Sequence, residues 1–215
     1  MVVSTVSKAA MLANVTPGFS MIEQLLPEVT AYILSFLDLT SLCHLSMTSS
    51  WMRKAANDDY LWKSLYCQEF TDEANGENPV NGWKAYYVAT KEIMDVNYEF
   101  FGIVVDRSLH QMTSFWLNSD YVTCYNGSGE LVSGYDAVMQ RWEFCFDNWE
   151  AGYNLDPIGW RIRIRTNVAW VTTNAIHRTF GDLYNVTNVF ELHNGRWLMV
   201  HHHSSTVPTN GVENH

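Results

Sequence analysis

LPEVTAYILSFLDLTSLCHLSMTSSWMRKAANDDYLWKSLYCQEF, residues 26–70, is the stretch from which the organisation of the chain can be read. Val29, Ile33, Leu34 and Leu37 recur at helical spacing. Pro27 suits a first helical turn, where its missing N–H costs nothing, and Glu28 complements the helix dipole. Asp38 and Thr40 break the pattern and can cap a second helix with Leu42, Leu45 and Ser46 on one face. A third helix is expected from Ser49 or Ser50, with Trp51, Ala55 and Ala56 inward and Asp58-Asp59 as its stop. Leu61, Trp62 and Leu65 supply a last apolar turn. A unit of this size buries only a modest fraction of its surface, so it calls for a partner or for the rest of the chain.

These residues, in this order and spacing, resemble the F-box. The elements that carry the resemblance are LPEV at the start, ILSFLD at Ile33 to Asp38, Leu42, Leu45-Ser46, Trp51, Arg53, Ala55, and the closing Leu61-Trp62 with Leu65. Met47 and Thr48 depart from the family pattern, which often has Val-Cys near that point. The resemblance implies docking onto a Skp-type adaptor and, through it, a cullin-based ubiquitin ligase. It makes Leu26, Pro27, Ile33, Leu37, Leu42 and Trp62 the expected adaptor-binding residues. An interaction helix offers such side chains to a groove.

The composition suits a packed protein. Of the 215 residues, 47% are hydrophobic and 14% aromatic, which argues for a filled core and against disorder. The net charge of −10 leaves no basic segment, so nucleic acid and anionic lipid are poor candidates for the main partner. Cys43, Cys67, Cys124 and Cys145 show neither CxxC pairing nor close Cys/His spacing. Reduced thiols in the cytoplasm or nucleus are expected, with no zinc site and no cofactor. No stretch reaches the length of a membrane span.

Residues 1–20 read as a flexible leader and residues 24–70 as the F-box-like helical domain. An acidic, Asn/Gly/Pro-rich loop from Thr71 to Gly82 leads into a short bridging helix around WKAYYVATKEI, and together they make up a connecting segment, residues 71–96. A helix is expected over Ser108–Asn118 from Leu109, Met112, Trp116 and Leu117. A strand-like run Tyr121–Tyr125 and the turn Asn126-Gly127-Ser128-Gly129 come next. Another helix carries Val138, Met139, Trp142 and Phe146 inward.

The period then changes to two. Between Trp160 and Thr172, Ile162, Ile164, Val168 and Trp170 alternate with Arg161, Arg163, Arg165, Asn167 and Val171, as one ribbon with a wetter face. Leu183–Leu192 and Trp197–His203 form a hairpin around the Asn194-Gly195 turn signal. Residues 206–215 are a polar tail. The expected class is α+β: a small helical domain, then a cone-shaped domain at residues 97–205 whose curved antiparallel sheet wraps around helices. FWLNSDYV, SGYDAVMQRW and HNGRWLMVHHHSS resemble the SnoaL-like branch of the nuclear-transport-factor-two-like superfamily. An F-box followed by such a domain is similar to a plant group of Skp-interacting-partner F-box proteins.

That resemblance implies an internal cavity and, in many members, a dimer. Candidate pocket residues are Trp116, Tyr121, Trp142, Trp170, Trp197, His201 and His203. By strict alternation His201 and His203 share a face with Trp197 and Met199, while His202 points the other way. Asp120, Asp136, His177, His201 and His203 are the groups that could act as a base. Helix capping accounts more simply for both aspartates, and adjacent histidines on opposite strand faces do not make a metal triad. No catalytic residue is assigned. The expected role is target binding or self-association within a ligase complex, the target protein being unidentified. A ligand-binding or catalytic cone tethered to an F-box is the alternative, and the nature of the cavity discriminates between them.

Overall fold

The computed structural model describes residues 21–70, 78–127, 130–150 and 153–208. The expected leader, most of the acidic loop, part of the Asn126–Gly129 turn and most of the tail lie outside those residues. Two compact units partition the chain, residues 1–84 and 85–215.

In the first unit a short 3-10 turn, Met21–Gln24, precedes four helices: α1 (Pro27–Leu34), α2 (Leu39–Ser46), α3 (Ser50–Ala56) and α4 (Asp59–Phe70). Each start follows from local chemistry. Pro27 occupies the first turn of α1, the Asp38 carboxylate accepts from the Ser41 N–H at 2.7 Å, and the Ser49 hydroxyl accepts from the Met52 N–H at 3.1 Å. The expected last apolar turn is a twelve-residue helix that buries Leu61, Trp62, Leu65 and Tyr66. Leu34, Leu42 and Ala56 complete this small core.

Helix α5 spans Gly82–Asp106, 25 residues. Its start is held by Asp59, whose carboxylate accepts from the Trp83 N–H at 2.6 Å. Gly82 lies at φ 80°, and a Cβ there would sit 2.9 Å from that carboxylate, so the position requires glycine. The sequence pattern foresaw only a short bridging helix ending by residue 96. Buried Asn97 interrupts the apolar face at that point, yet Ile93, Phe100, Phe101 and Val104 continue the helical spacing beyond it. Residues 85–96 therefore fold with the second unit.

That second unit continues with α6 (Leu109–Phe115), β1 (Thr123–Asn126), β2 (Val132–Ser133), α7 (Tyr135–Asn148), β3 (Leu155–Arg165), β4 (Val168–His177), β5 (Leu183–His193) and β6 (Arg196–Thr206). One mixed sheet has the order β2-β1-β6-β5-β4-β3. The four long strands are antiparallel, whereas β1 joins β6 in parallel. The fold is α+β, with a curved sheet and helices, as expected.

Two details of the sheet reset which side chains face inward. A turn at Thr166-Asn167, with Thr166 at φ 50°, divides the single ribbon read from the sequence into β3 and β4. Ile162 and Ile164 are buried before the turn, and Ala169, Val171 and Ala175 after it. Trp170 therefore stands on the outer face. In β6, Phe190 pairs with Met199 and Val189 with His201, so Val200 is an extra residue in a β-bulge. A bulge reverses the alternation beyond it.

Candidate functional site

The first candidate surface lies on α1. Leu26, Val29, Ile33 and Phe36, spaced at i, i+3, i+7 and i+10, are all exposed, Leu26 at 67% and Phe36 at 73%. Tyr32 extends the patch, its ring edge-on to Phe36 at 5.1 Å. Only Thr30 and Leu34 of this helix are buried. A helix with most of its apolar side chains in water has a surface made for a partner. Leu26, Pro27 and Ile33 belong to the exposed set, and Leu37 is half-buried.

Leu42 and Trp62 have a different role from the adaptor contacts expected of them. Leu42 is 1% and Trp62 4% exposed, and the Trp62 indole N–H donates to the Ala56 carbonyl at 3.0 Å. The Lys84 ammonium lies over the Trp62 ring at 5.0 Å. Both residues are part of the core that holds the four helices together, because alternation around short helices turns one side of each to its neighbours.

The second candidate is a cavity of about 300 Å³ inside the second unit. Phe100, Trp142, Trp149 and Tyr153 give it aromatic walls, and Asn126 and His202 are among its polar residues. His202 comes from β6, turned inward by the bulge at Val200. Its Nδ1 pairs with Asn188 Oδ1 at 2.7 Å, and the Asn188 amide donates to Asn97 Oδ1 at 2.7 Å. The ring rests against Phe100 at 5.0 Å and Trp142 at 5.4 Å. Burial first, and then neighbouring His201 and His203, push its pKa down to about 3, so the imidazole is neutral at physiological pH.

Of the seven pocket residues read from the sequence, Trp142 is among those lining the cavity. Trp116 is packed in the core, and Trp197 lines a separate groove beside Glu92, Asp95 and Glu99. Exposed Tyr121 donates to Glu191 at 2.7 Å, and Trp170 points outward. His201 Nδ1 pairs with the Thr123 hydroxyl at 2.7 Å, while His203 stacks on Tyr125 at 4.7 Å. The bulge explains why these two histidines exchange places with His202.

The candidate bases are likewise scattered. Asp120 and Asp136 are exposed, and His177 is buried outside the cavity lining, 4.9 Å from the Tyr153 ring. Sequence reasoning missed Asn97 and Asn188 as the residues that orient the cavity histidine. A signal was present: Asn188 sits between Val186 and Phe190 at the inward period of β5.

Comparison with known proteins places both units. A SnoaL-like domain family matches residues 93–210, and an F-box-like family matches residues 23–68. F-box protein SKIP8 of Arabidopsis thaliana is 56% identical over 196 residues, covering 91% of this chain and 84% of that protein. A second Arabidopsis thaliana protein, named as an F-box protein, is 67% identical over 115 residues, 54% of this chain and 94% of its own length. Among solved structures, an NTF2-like family protein from Streptomyces avermitilis aligns with a TM-score of 0.50 at 18% identity, over 55% of this chain and 95% of that chain. An NTF2-like protein of unknown function from Pseudomonas putida also gives 0.50, at 15% identity, over 55% and 86%. At such identities the structural likeness speaks for the fold alone.

Proposed function

The chain belongs to the F-box proteins that carry a SnoaL-like domain, and on that premise we propose that it is the target-binding subunit of a Skp–cullin–F-box ubiquitin ligase. The observation that carries this reading is the exposed apolar face of α1. Leu26, Pro27, Ile33 and half-buried Leu37 enter a groove of the Skp-type adaptor, and Leu42 and Trp62 keep the helices in position behind them. Completing the burial of the exposed Leu26 and Ile33 supplies up to roughly 1.5–3 kcal/mol each before association costs, and Pro27 and the half-buried Leu37 add less.

In this reading the second unit holds a target protein or a second copy of the chain, in the cytoplasm or nucleus, and the subunit itself is non-catalytic. Support comes from the cavity imidazole. A pKa of about 3 makes it a weak base near neutrality, where general-base catalysis favours a group that titrates close to the working pH.

The test is co-purification of the full chain with a Skp-type adaptor and a cullin. Recovery of both, lost when residues 24–70 are deleted, is the expected outcome. A full chain that recovers neither contradicts the proposal.

A further inference from the structure

Strand β3 closes one end of the sheet, and among the described residues β4 is the strand that pairs with it. Arg165 and Val168 flank the turn Thr166-Asn167 and face each other in register. The pair that closes such a turn exchanges its backbone hydrogen bonds, and every second residue of an antiparallel ladder does the same. The backbone groups of Arg165, Arg163 and Arg161 are therefore turned to β4, and the N–H and C=O of Ile164 and Ile162 point to the free side. The side chains agree with this direction: Arg163 donates to the Ile162 carbonyl at 3.4 Å, and Arg165 to the Ile164 carbonyl at 3.3 Å.

Two further features run along this edge. The side chains of Arg161, Arg163 and Arg165 share the outer face, since Ile162 and Ile164 between them are buried on the inner one. On the inner side, exposed Tyr98 of α5 lies with its ring 4.8 Å from that of Trp160. One turn along the same helix face, Gly102 has nothing within 4 Å of where a Cβ would stand, and Val105, a turn further, is exposed. An open apolar stripe of α5 thus begins beside the unpaired backbone of β3.

We propose that the free side of β3 captures an extended acidic segment of the target protein as an added antiparallel strand. Alternate Asp or Glu side chains of that segment face Arg161, Arg163 and Arg165, exchanging the long arginine–carbonyl bonds for shorter, charge-assisted ones. The Ile162 and Ile164 carbonyls then accept from the incoming backbone, and their N–H groups donate to it. The intervening side chains are apolar and extend the inner face beside Ile162, Trp160 and Tyr98. A second copy of β3 does not fit the same place, because two rows of arginine would meet and like charges across a ladder repel. This inference rests on the reading of the second unit as the part that holds a target.

The probe is a fluorescein-labelled peptide of alternating glutamate and valine, titrated into the full chain at neutral pH and followed by anisotropy. Saturable binding is expected, weaker by about tenfold or more for a peptide of alternating lysine and valine. The glutamate peptide with its valine nitrogens methylated keeps every charge and loses the pairing N–H groups, and should weaken by a similar factor. So should the chain carrying Arg161→Gln, Arg163→Gln and Arg165→Gln together. Residue-resolved hydrogen exchange gives a readout that charge attraction alone does not move. Bound peptide should slow exchange at the Ile162 and Ile164 amides by about tenfold or more, and leave the amides of Arg161, Arg163 and Arg165, already paired with β4, unchanged.

Equal affinity for the glutamate and lysine peptides overturns the acidic assignment, and binding without new protection at Ile162 and Ile164 overturns strand addition; neither result depends on a variant. Absence of saturable binding by the glutamate peptide at millimolar concentration overturns the proposal outright. Adaptor binding measured on the same sample tests the ligase reading through α1. A chain that takes the adaptor and not the peptide loses this inference alone.

Discussion

Asn188 Oδ1 and His202 Nδ1 lie 2.7 Å apart on neighbouring strands, and that hydrogen bond holds the one imidazole among the described residues of the cavity wall, which burial keeps neutral. Its consequence for stability has a definite sign. The folded pKa of about 3 is below the ordinary 6.5, so between these values the unfolded chain binds a proton that the folded chain refuses. The contribution is whole above pH 6.5 and declines as the pH falls toward 3.

From that linkage, acidification from pH 7 to pH 5 should cost about 2 kcal/mol through His202. Thermal unfolding of the wild type and His202→Phe across this range measures it. The variant should lose less stability over the interval than the wild type. Parallel pH profiles would show that the folded ring takes up its proton over the same pH range as the unfolded one, and would contradict the lowered pKa.

Leu42 and Trp62 should behave as core residues. Replacing either with alanine removes a side chain that is at most 4% exposed, and should lower stability by about 2–5 kcal/mol. Leu26→Ala, on a side chain already mostly in water, should stay within about 0.5 kcal/mol of the wild type. Urea unfolding monitored by circular dichroism separates the two classes.

The four thiols should divide by environment. Cys43 and Cys67 are exposed, whereas Cys124 and Cys145 are buried, and burial pushes both buried thiols up. Since the thiolate is the reactive form, two cysteines should alkylate quickly at pH 8 and two only as the protein unfolds. Peptide mass spectrometry after a timed iodoacetamide pulse assigns them. Rapid labelling of Cys124 in the native protein would contradict the packing of β1.

How much of this was legible depended on whether an element obeys one period throughout. Val138, Met139, Trp142 and Phe146 were readable as the inner face of α7 because nothing interrupts the helical spacing. The Asn194-Gly195 hairpin was readable too, since both residues adopt the positive φ that this pair tolerates, 51° and 76°.

Thr166-Asn167 carries no such signal. A β-branched residue at φ 50° is an uncommon turn former, and missing that turn put Trp170 on the wrong face. The bulge at Val200 was equally silent, because it is decided by pairing with β5 rather than by the composition of β6. One extra residue there exchanged His202 for His201 and His203 as the cavity histidine. In α5 the polar Asn97 breaks the apolar spacing, and its partner is Asn188, 91 positions away. Side chains that satisfy one another across the fold cannot be found from local spacing alone.

The exposed face of α1 bears the main functional proposal, and isothermal titration of a purified Skp-type adaptor into the full chain tests it most directly. Wild-type protein should bind saturably, and Leu26→Ala combined with Ile33→Ala should weaken the affinity by at least tenfold while thermal unfolding stays unchanged. Equal affinity of the wild type and the double variant would contradict the assignment of that face to the adaptor.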